Sequence, residues 1–258
     1  MSDFNRFGDT LTGAMARNVA AWIDSSVASL GVQTFRSASL WWRSPGGSPI
    51  YLSAMITDPQ ASDDELHREL RRVETEWGAK PVSLWDCWAA RDLSTKGFKR
   101  DWVEPWYLRH PSPLPGNFTL PSGLSIEAVT SAEQLAEFEQ ASWEGFEVTE
   151  AVRKVGRFSQ HALGTLEDTG MRYLVARLNG RAVAGTITYA TRDTLGIYGI
   201  STIPEFRRRG FATALVRAAV SVRPDLPVSV QPDPESVHIY EDIGFIPAGR
   251  VGAWHKVH

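Results

Sequence analysis

The alternation of apolar and polar positions changes period several times along the second half of this chain. Residues 124–129 read as a short strand. Ser131 then stands as an N-cap before a helix over 132–143, with Gln134 at the capping-box position. A second helix is expected over 150–163. Residues 172–178 and 182–191 alternate as strands, and Asn179-Gly180 between them favours a type I′ hairpin turn. Another strand follows over 195–203. Residues 211–222 are apolar almost all round, which predicts a largely buried helix. Arg223-Pro224 ends it, and a short strand is expected over 228–231. Asp233 reads as an N-cap with Pro234 at the first helical position, and Gly244 closes that helix before a last strand from Phe245.

The first half predicts a helix over 11–30, strands over 34–43 and 50–57, and a helix over 63–77. A strand over 82–85, a short helix and a final strand from near Phe98 complete it. Between the halves, residues 111–123 hold four of the 15 prolines and two glycines, so they read as a linker. The expected division is 1–112, a linker at 113–122, and 123–258. Eight of the ten tryptophans precede the linker, and core or interface packing is their expected role.

Composition narrows the function. The 258 residues carry a formal net charge of -3, which argues against a general nucleic-acid or anionic-membrane surface. Cys87 is the only cysteine, so no intramolecular disulfide can form, and a reducing cytoplasm is the expected setting. No apolar run approaches the roughly 20 residues that span a bilayer, and no signal peptide is seen. No Cys/His spacing suits zinc, so no metal is expected.

One stretch stands out chemically: Ile203-Pro204-Glu205-Phe206-Arg207-Arg208-Arg209-Gly210-Phe211-Ala212. It puts three arginines where a helix begins, the end already positive by its macrodipole. Free backbone N–H groups also face outward there. Cations and free amides together form a socket for an anion, a phosphate or pyrophosphate first of all. Gly210 and Ala212 are small enough to let a ligand approach the backbone.

The halves share a spacing. Asp233 precedes Tyr240 by seven residues and Gly244-Phe245 by eleven and twelve, and Asp86 stands in the same relation to Leu93 and Gly97-Phe98. The differences are chemical. The first half has Ser62-Asp63-Asp64-Glu65 after its proline where the second has arginines, and Leu93 cannot exchange a proton as Tyr240 can. A duplication that kept one socket explains both.

With Arg207-Arg208-Arg209-Gly210-Phe211-Ala212 and Tyr240-Glu241-Asp242-Ile243-Gly244-Phe245 in place, the second half resembles a GCN5-related N-acetyltransferase, over about residues 123–258. The whole chain is similar to tandem members with a degenerate first copy. The resemblance implies an α/β (α+β) fold: a mixed, mostly antiparallel sheet flanked by helices, twice over. It implies acetyl transfer from acetyl-CoA to an amine. Ile200, Ser201 and Thr202 would hold the acyl group and pantetheine arm by backbone bonds. Arg207, Arg208, Arg209, Gly210, Phe211, Ala212 and Thr213 would surround the pyrophosphate. Tyr240 would protonate the departing thiolate, and Asp233 stands where the family often has an asparagine contacting the CoA arm. Some relatives carry a glutamate where this chain has Val228, which leaves Glu144 and Glu147 as candidate bases. The expected acceptor is a small-molecule amine. A peptide amine and a non-catalytic acyl-CoA sensor are the alternatives, with the chain a monomeric pseudo-dimer or a homodimer.

Overall fold

The computed structural model describes residues 11–149 and 160–256; most of the helix expected over 150–163 lies outside them. In chain order the elements are α1 (Leu11–Ala28), β1 (Thr34–Arg36), β2 (Leu40–Arg43), β3 (Ala54–Ile56), α2 (Asp63–Trp77), β4 (Val82–Asp86), β5 (Lys99–Arg109) and β6 (Leu124–Ala128). They continue as α3 (Ala132–Gly145), β7 (Met171–Leu178), β8 (Arg181–Ala190), β9 (Leu195–Thr202), α4 (Phe211–Val220), β10 (Val228–Val230), α5 (Val237–Glu241) and β11 (Ile246–Lys256). Packing separates two compact units. One holds the described residues up to Trp106 together with those from Pro247 onward, and the other is Tyr107–Ile246.

This grouping differs from the linear division read from the proline content. Residues 113–122 pack within the second unit. The buried Arg109 guanidinium donates to the carbonyls of Ser112 (2.7 Å), Pro113 (2.9 Å) and Ile243 (2.9 Å), and Arg217 donates to Pro115 O at 2.9 Å. Prolines offer no N–H, so their free carbonyls are natural acceptors for buried guanidinium groups. The segment is thus tied down at its start.

In the first unit, β1, β2 and β3 are antiparallel neighbours, β3 and β4 run parallel, and β4 pairs antiparallel with β11. The strand expected over 34–43 is two strands. Ser37 turns the chain, its N–H bonding Leu40 O at 2.8 Å while its hydroxyl accepts from Leu40 N at 3.1 Å. The strand expected over 50–57 contracts to Ala54–Ile56. On α2, Leu66, Leu70, Val73 and Trp77 recur at spacings of four, three and four and bury one face. Several of the tryptophans serve packing: Trp41, Trp42, Trp77 and Trp106 are all buried.

The second unit orders its strands β6-β7-β8-β9-β10, antiparallel except for β9 with β10, and Tyr107–Arg109 of β5 pairs with β10. The Asn179-Gly180 hairpin forms as expected, with Asn179 at φ 49° and Gly180 at φ 87°. Ser131 caps α3, accepting from Gln134 N at 3.3 Å. The buried face of α4 (Phe211, Ala214, Leu215, Val216, Ala219) packs into a core with Leu174, Ala184, Leu195 and Ile197.

The repeated spacing has a structural counterpart. Phe98 N donates to Leu93 O (3.2 Å) and Gly97 N to Ser94 O (3.0 Å); Phe245 N donates to Tyr240 O (3.0 Å) and Gly244 N to Glu241 O (2.9 Å). Gly97 and Gly244 both have positive φ, 82° and 95°. The same turn is built twice from the same residue offsets.

Candidate active site

The site begins with a fault in β9. Gly199 adopts φ 58°, and the register with β8 slips so that Ile187 opposes Tyr198 while Gly185 opposes Ser201. An extra residue in one strand bends it and increases its twist. The bend has a consequence on the other side. The pairing of β9 with β10 is confined to Leu195↔Val228 and Gly196↔Ser229. Past that point Ser201 and Thr202 keep β8 partners, Gly185 and Ala184, with no registered strand on their other side among the described residues. Both of their hydroxyl oxygens are buried and lack a hydrogen-bond partner there.

Beyond β9 the chain makes a 3₁₀ turn over Pro204–Phe206 and enters α4 through a backbone of alternating handedness. Arg207 has φ -63°, Arg208 φ 63° and Gly210 φ 79°. Such alternation turns successive N–H groups toward one side. Gly210 is the N-cap and supplies no side chain. Among the described residues no acceptor receives the N–H groups of residues 208–213, and residues 207–210 are exposed. The contrast with the first unit is direct. There Ser62 caps α2 with its own hydroxyl, accepting from Glu65 N at 3.2 Å, and three carboxylates fill the first turn. The donors that remain free on α4 are thus partly consumed on α2, and the electrostatics at the two helix starts are opposite.

The three arginines divide their work. Arg207 is committed to the protein: Nε donates to Thr202 O (3.1 Å), Nη2 to Gly145 O (2.7 Å) and to Glu147 Oε2 (3.2 Å). It clamps the end of α3 to the end of β9. Arg209 donates to Glu205 O at 3.2 Å and lies over the Phe206 ring at 5.4 Å. Arg208 is exposed and makes no side-chain bond to a described residue.

Tyr240 is 5 % exposed and packs edge-on against Phe245, ring centroids 5.6 Å apart. Its hydroxyl bonds to no described group. Burial holds its acidity well below that of free tyrosine, and the negative charge of Asp233 adds to that effect. Asp233 itself is exposed and does not act as the expected N-cap. Its side chain makes no cap bond, a 3₁₀ turn over Pro234–Ser236 follows, and the α-helix starts only at Val237.

The two candidate bases are engaged. Glu144 lies inside α3, accepts from Gln140 Nε2 at 2.6 Å and stands 3.8 Å from Arg181. Glu147 follows the helix at φ 53°, a conformation forced by the C-terminal turn in which Val148 N reaches Trp143 O at 2.9 Å. Its carboxylate pairs with Arg207. Val228 is buried core.

Sequence reasoning missed two participants. Gly145 lets α3 approach β9: a Cβ there would lie 2.8 Å from Ser201 Cβ and 3.1 Å from Thr202 N. Pro121 borders the socket, its Cγ 3.8 Å from where a Cβ on Gly210 would lie. Glycines at helix ends carry no side-chain signal, and contacts across 56 or 89 positions leave no local pattern.

Free amides at an open helix start, beside a strand edge, are the features that a diphosphate with an extended arm requires. Residues 132–245 match the Acetyltransferase (GNAT) family. A GCN5-related N-acetyltransferase from Kribbella flavida aligns at TM-score 0.71 with 16% identity, covering 96% of each chain. One from Sphaerobacter thermophilus aligns at 0.61 with 13% identity, over 95% of this chain and 93% of that one. A tandem GNAT protein from the clavulanic acid biosynthesis pathway aligns at 0.54 with 14% identity, over 93% and 95%. No curated protein matches the sequence. The C-terminal half of the chain thus carries the match to the GNAT family, and the chain shares the fold of tandem GNAT structures over most of its length. Members of this family are typically acetyl-CoA-dependent N-acetyltransferases. Among the described residues no helix is long and apolar enough to cross a membrane, and no group of three or more His, Cys, Asp or Glu could hold a metal ion.

Proposed function

We propose that the second unit transfers an acetyl group from acetyl-CoA to a primary amine of a small molecule by direct attack. The observation that carries this is the row of unclaimed N–H groups at residues 208–213, beside a strand that parts from its neighbour after Gly196. The amides of residues 208–213 and the free Arg208 guanidinium would bind the pyrophosphate. The edge of β9 at Ile200, Ser201 and Thr202 would bind the pantetheine arm and orient the thioester. Acetyl-CoA supplies the activated acyl group and a thiolate leaving group.

Tyr240 has a defined part. A thiol has an unperturbed pKa of about 8.5 and a tyrosine of about 10. Burial moves Tyr240 further up. Complete proton transfer to a thiolate is therefore uphill, and the neutral O–H serves as a hydrogen-bond donor to the sulfur as charge develops there. Asp233 and burial together keep that O–H protonated throughout the working pH range. Glu144 and Glu147 are spent on Gln140, Arg181 and Arg207, so the attacking amine arrives deprotonated or loses its proton to water.

The same engagement of both carboxylates favours a second reading, a sensor that binds acyl-CoA without turnover. Thermal unfolding with acetyl-CoA tests the socket. Ligand at about 100 times its dissociation constant adds roughly 2.7 kcal/mol, which moves the melting temperature by roughly 5–10 °C. No shift removes both readings. Thiol release across a panel of small amines and N-terminal peptides then decides between them. Turnover of a small amine, reduced strongly in Tyr240→Phe with acetyl-CoA affinity retained, supports the transferase. Binding without turnover of any amine supports the sensor, and turnover of peptides alone reassigns the acceptor.

A further inference from the structure

The first unit, which lacks the α4-type socket, has a cavity of its own. It is a half-open pocket of about 420 Å³, and its lining includes Trp88, Arg91, Arg100, Arg250 and Trp254. Among the described residues no carboxylate lines it, although the chain as a whole is acidic.

The arginines are not equivalent. Arg91 is held by the fold: it pairs with Asp63 at 3.3 Å and donates to the carbonyls of Pro59 (2.8 Å) and Ala61. Its Nε–H is nonetheless buried with no acceptor among the described residues. Arg100 and Arg250 form no ion pair with a described residue. Arg100 lies over the Trp254 ring, 4.5 Å from its centroid. Asp92, the acid that feels Arg100, is exposed and accepts at Oδ1 from Ser94 N at 3.0 Å. Arg250, Gly252 and Trp254 alternate along β11 and so present one face of the strand.

The cavity is kept open by backbone choices. A Cβ on Gly252 would come within 3.4 Å of Trp254 Nε1 and 3.7 Å of Ala89 Cα, narrowing the space. Ala89 takes φ 50°, which a residue with a Cβ rarely adopts. Asp86 imposes it. Its buried carboxylate accepts from Trp88 N at 3.1 Å and Arg91 N at 2.7 Å, fixing the loop that carries the cavity wall.

We propose that this cavity binds a small organic anion, a planar ring bearing a carboxylate or a phosphate. Guanidinium groups without carboxylate partners match the fork geometry of either anion. The half-buried Trp88 indole borders the cavity and offers a face for a ring. The volume falls in the range of small-molecule sites. The site is independent of the acetyl-CoA reading, since it shares no residue with it.

Binding to the full chain is measured by calorimetry and tryptophan fluorescence. Adenosine 5′-monophosphate and indole-3-carboxylate are the phosphate and carboxylate probes, with adenosine and indole as uncharged counterparts. At least one anion is expected to bind with a dissociation constant below about 1 mM, its counterpart at least about tenfold more weakly. Arg250→Gln, at an exposed side chain with no ion partner, should weaken the anion about tenfold and leave the melting temperature unchanged. Gly252→Leu should abolish binding. Failure of both anions, equal binding of the uncharged ring, or unchanged affinity in Arg250→Gln overturns the proposal; the last result would place the probe elsewhere, in the α4 socket for example.

Discussion

Replacing Gly145 with alanine tests whether the close approach of α3 to β9 shapes the site. The new Cβ would meet Ser201 Cβ at 2.8 Å, Ser201 Oγ at 3.0 Å and Thr202 N at 3.1 Å. Two of these atoms sit on or next to the strand backbone, so no rotamer change relieves the overlap. The helix end must retreat by several tenths of an ångström. Arg207, which donates to both Gly145 O and Thr202 O, is then pulled out of register. Overpacking of this kind costs about 1–3 kcal/mol, and at roughly 2–4 °C per kcal/mol the melting temperature falls by roughly 2–12 °C. Because the strand edge at Ser201 and Thr202 moves with it, the acetyl-CoA-induced thermal shift should shrink as well. Ser201→Gly removes the two closest atoms, so the double variant Gly145→Ala/Ser201→Gly should recover much of both losses, a coupling of neighbouring sites. A single variant that melts and binds like wild type would refute the reasoning. So would a double variant whose losses simply add.

Three further outcomes follow from the same structure. His161 is fully buried, and desolvation lowers its pKa to about 4 from 6.5, so the unfolded chain binds a proton that the folded one refuses between those values. Stability should therefore fall by about 3 kcal/mol as pH drops from 6.5 to 4; denaturation curves in that window check it, and a His161→Phe variant should lose this part of the slope. Tyr240 has the opposite sign. Its folded pKa is raised, so its contribution is intact below pH of about 10 and is lost as pH rises beyond that; Tyr240→Phe should flatten the alkaline limb of a melting-temperature profile. Gly210→Asp puts a carboxylate at the open helix start and a Cβ at φ 79°. The thermal shift with acetyl-CoA should disappear, while the strained backbone costs about 1–2 kcal/mol by itself; a retained shift would contradict pyrophosphate binding there.

Much of the site was legible in the chain because it is made of local backbone geometry. An Arg-Arg-Arg-Gly run between an apolar strand and an apolar helix sets where free N–H groups and positive φ values must fall, and residues 207–213 carry them. The Asp-x₆-Tyr-x₃-Gly-Phe spacing is local too, and its echo at Asp86, Leu93 and Gly97-Phe98 folds into the same turn. What the local pattern could not state was how each charge is spent. Glu144, Glu147 and Arg207 read alike as free charges, and only the approach of α3 to β9 shows them neutralised by one another, by Arg181 and by backbone carbonyls. The proline-rich segment looked like a spacer because composition reports the absence of helix and strand. Whether such a segment packs depends on distant partners, here Arg109 and Arg217.

The sequence alone thus determined most of the element order, the duplicated turn and the open helix start at residues 208–213, all set by interactions within a dozen residues. The tertiary structure alone decided that the last strand joins the first unit and that Tyr107–Arg109 joins the second. It also decided that the strand pair opens after Gly196 and that tryptophans and arginines from three separate stretches line a cavity. Those facts depend on pairings across tens to hundreds of positions. Such pairings are selected by total burial and hydrogen-bond satisfaction, and no local periodicity encodes them.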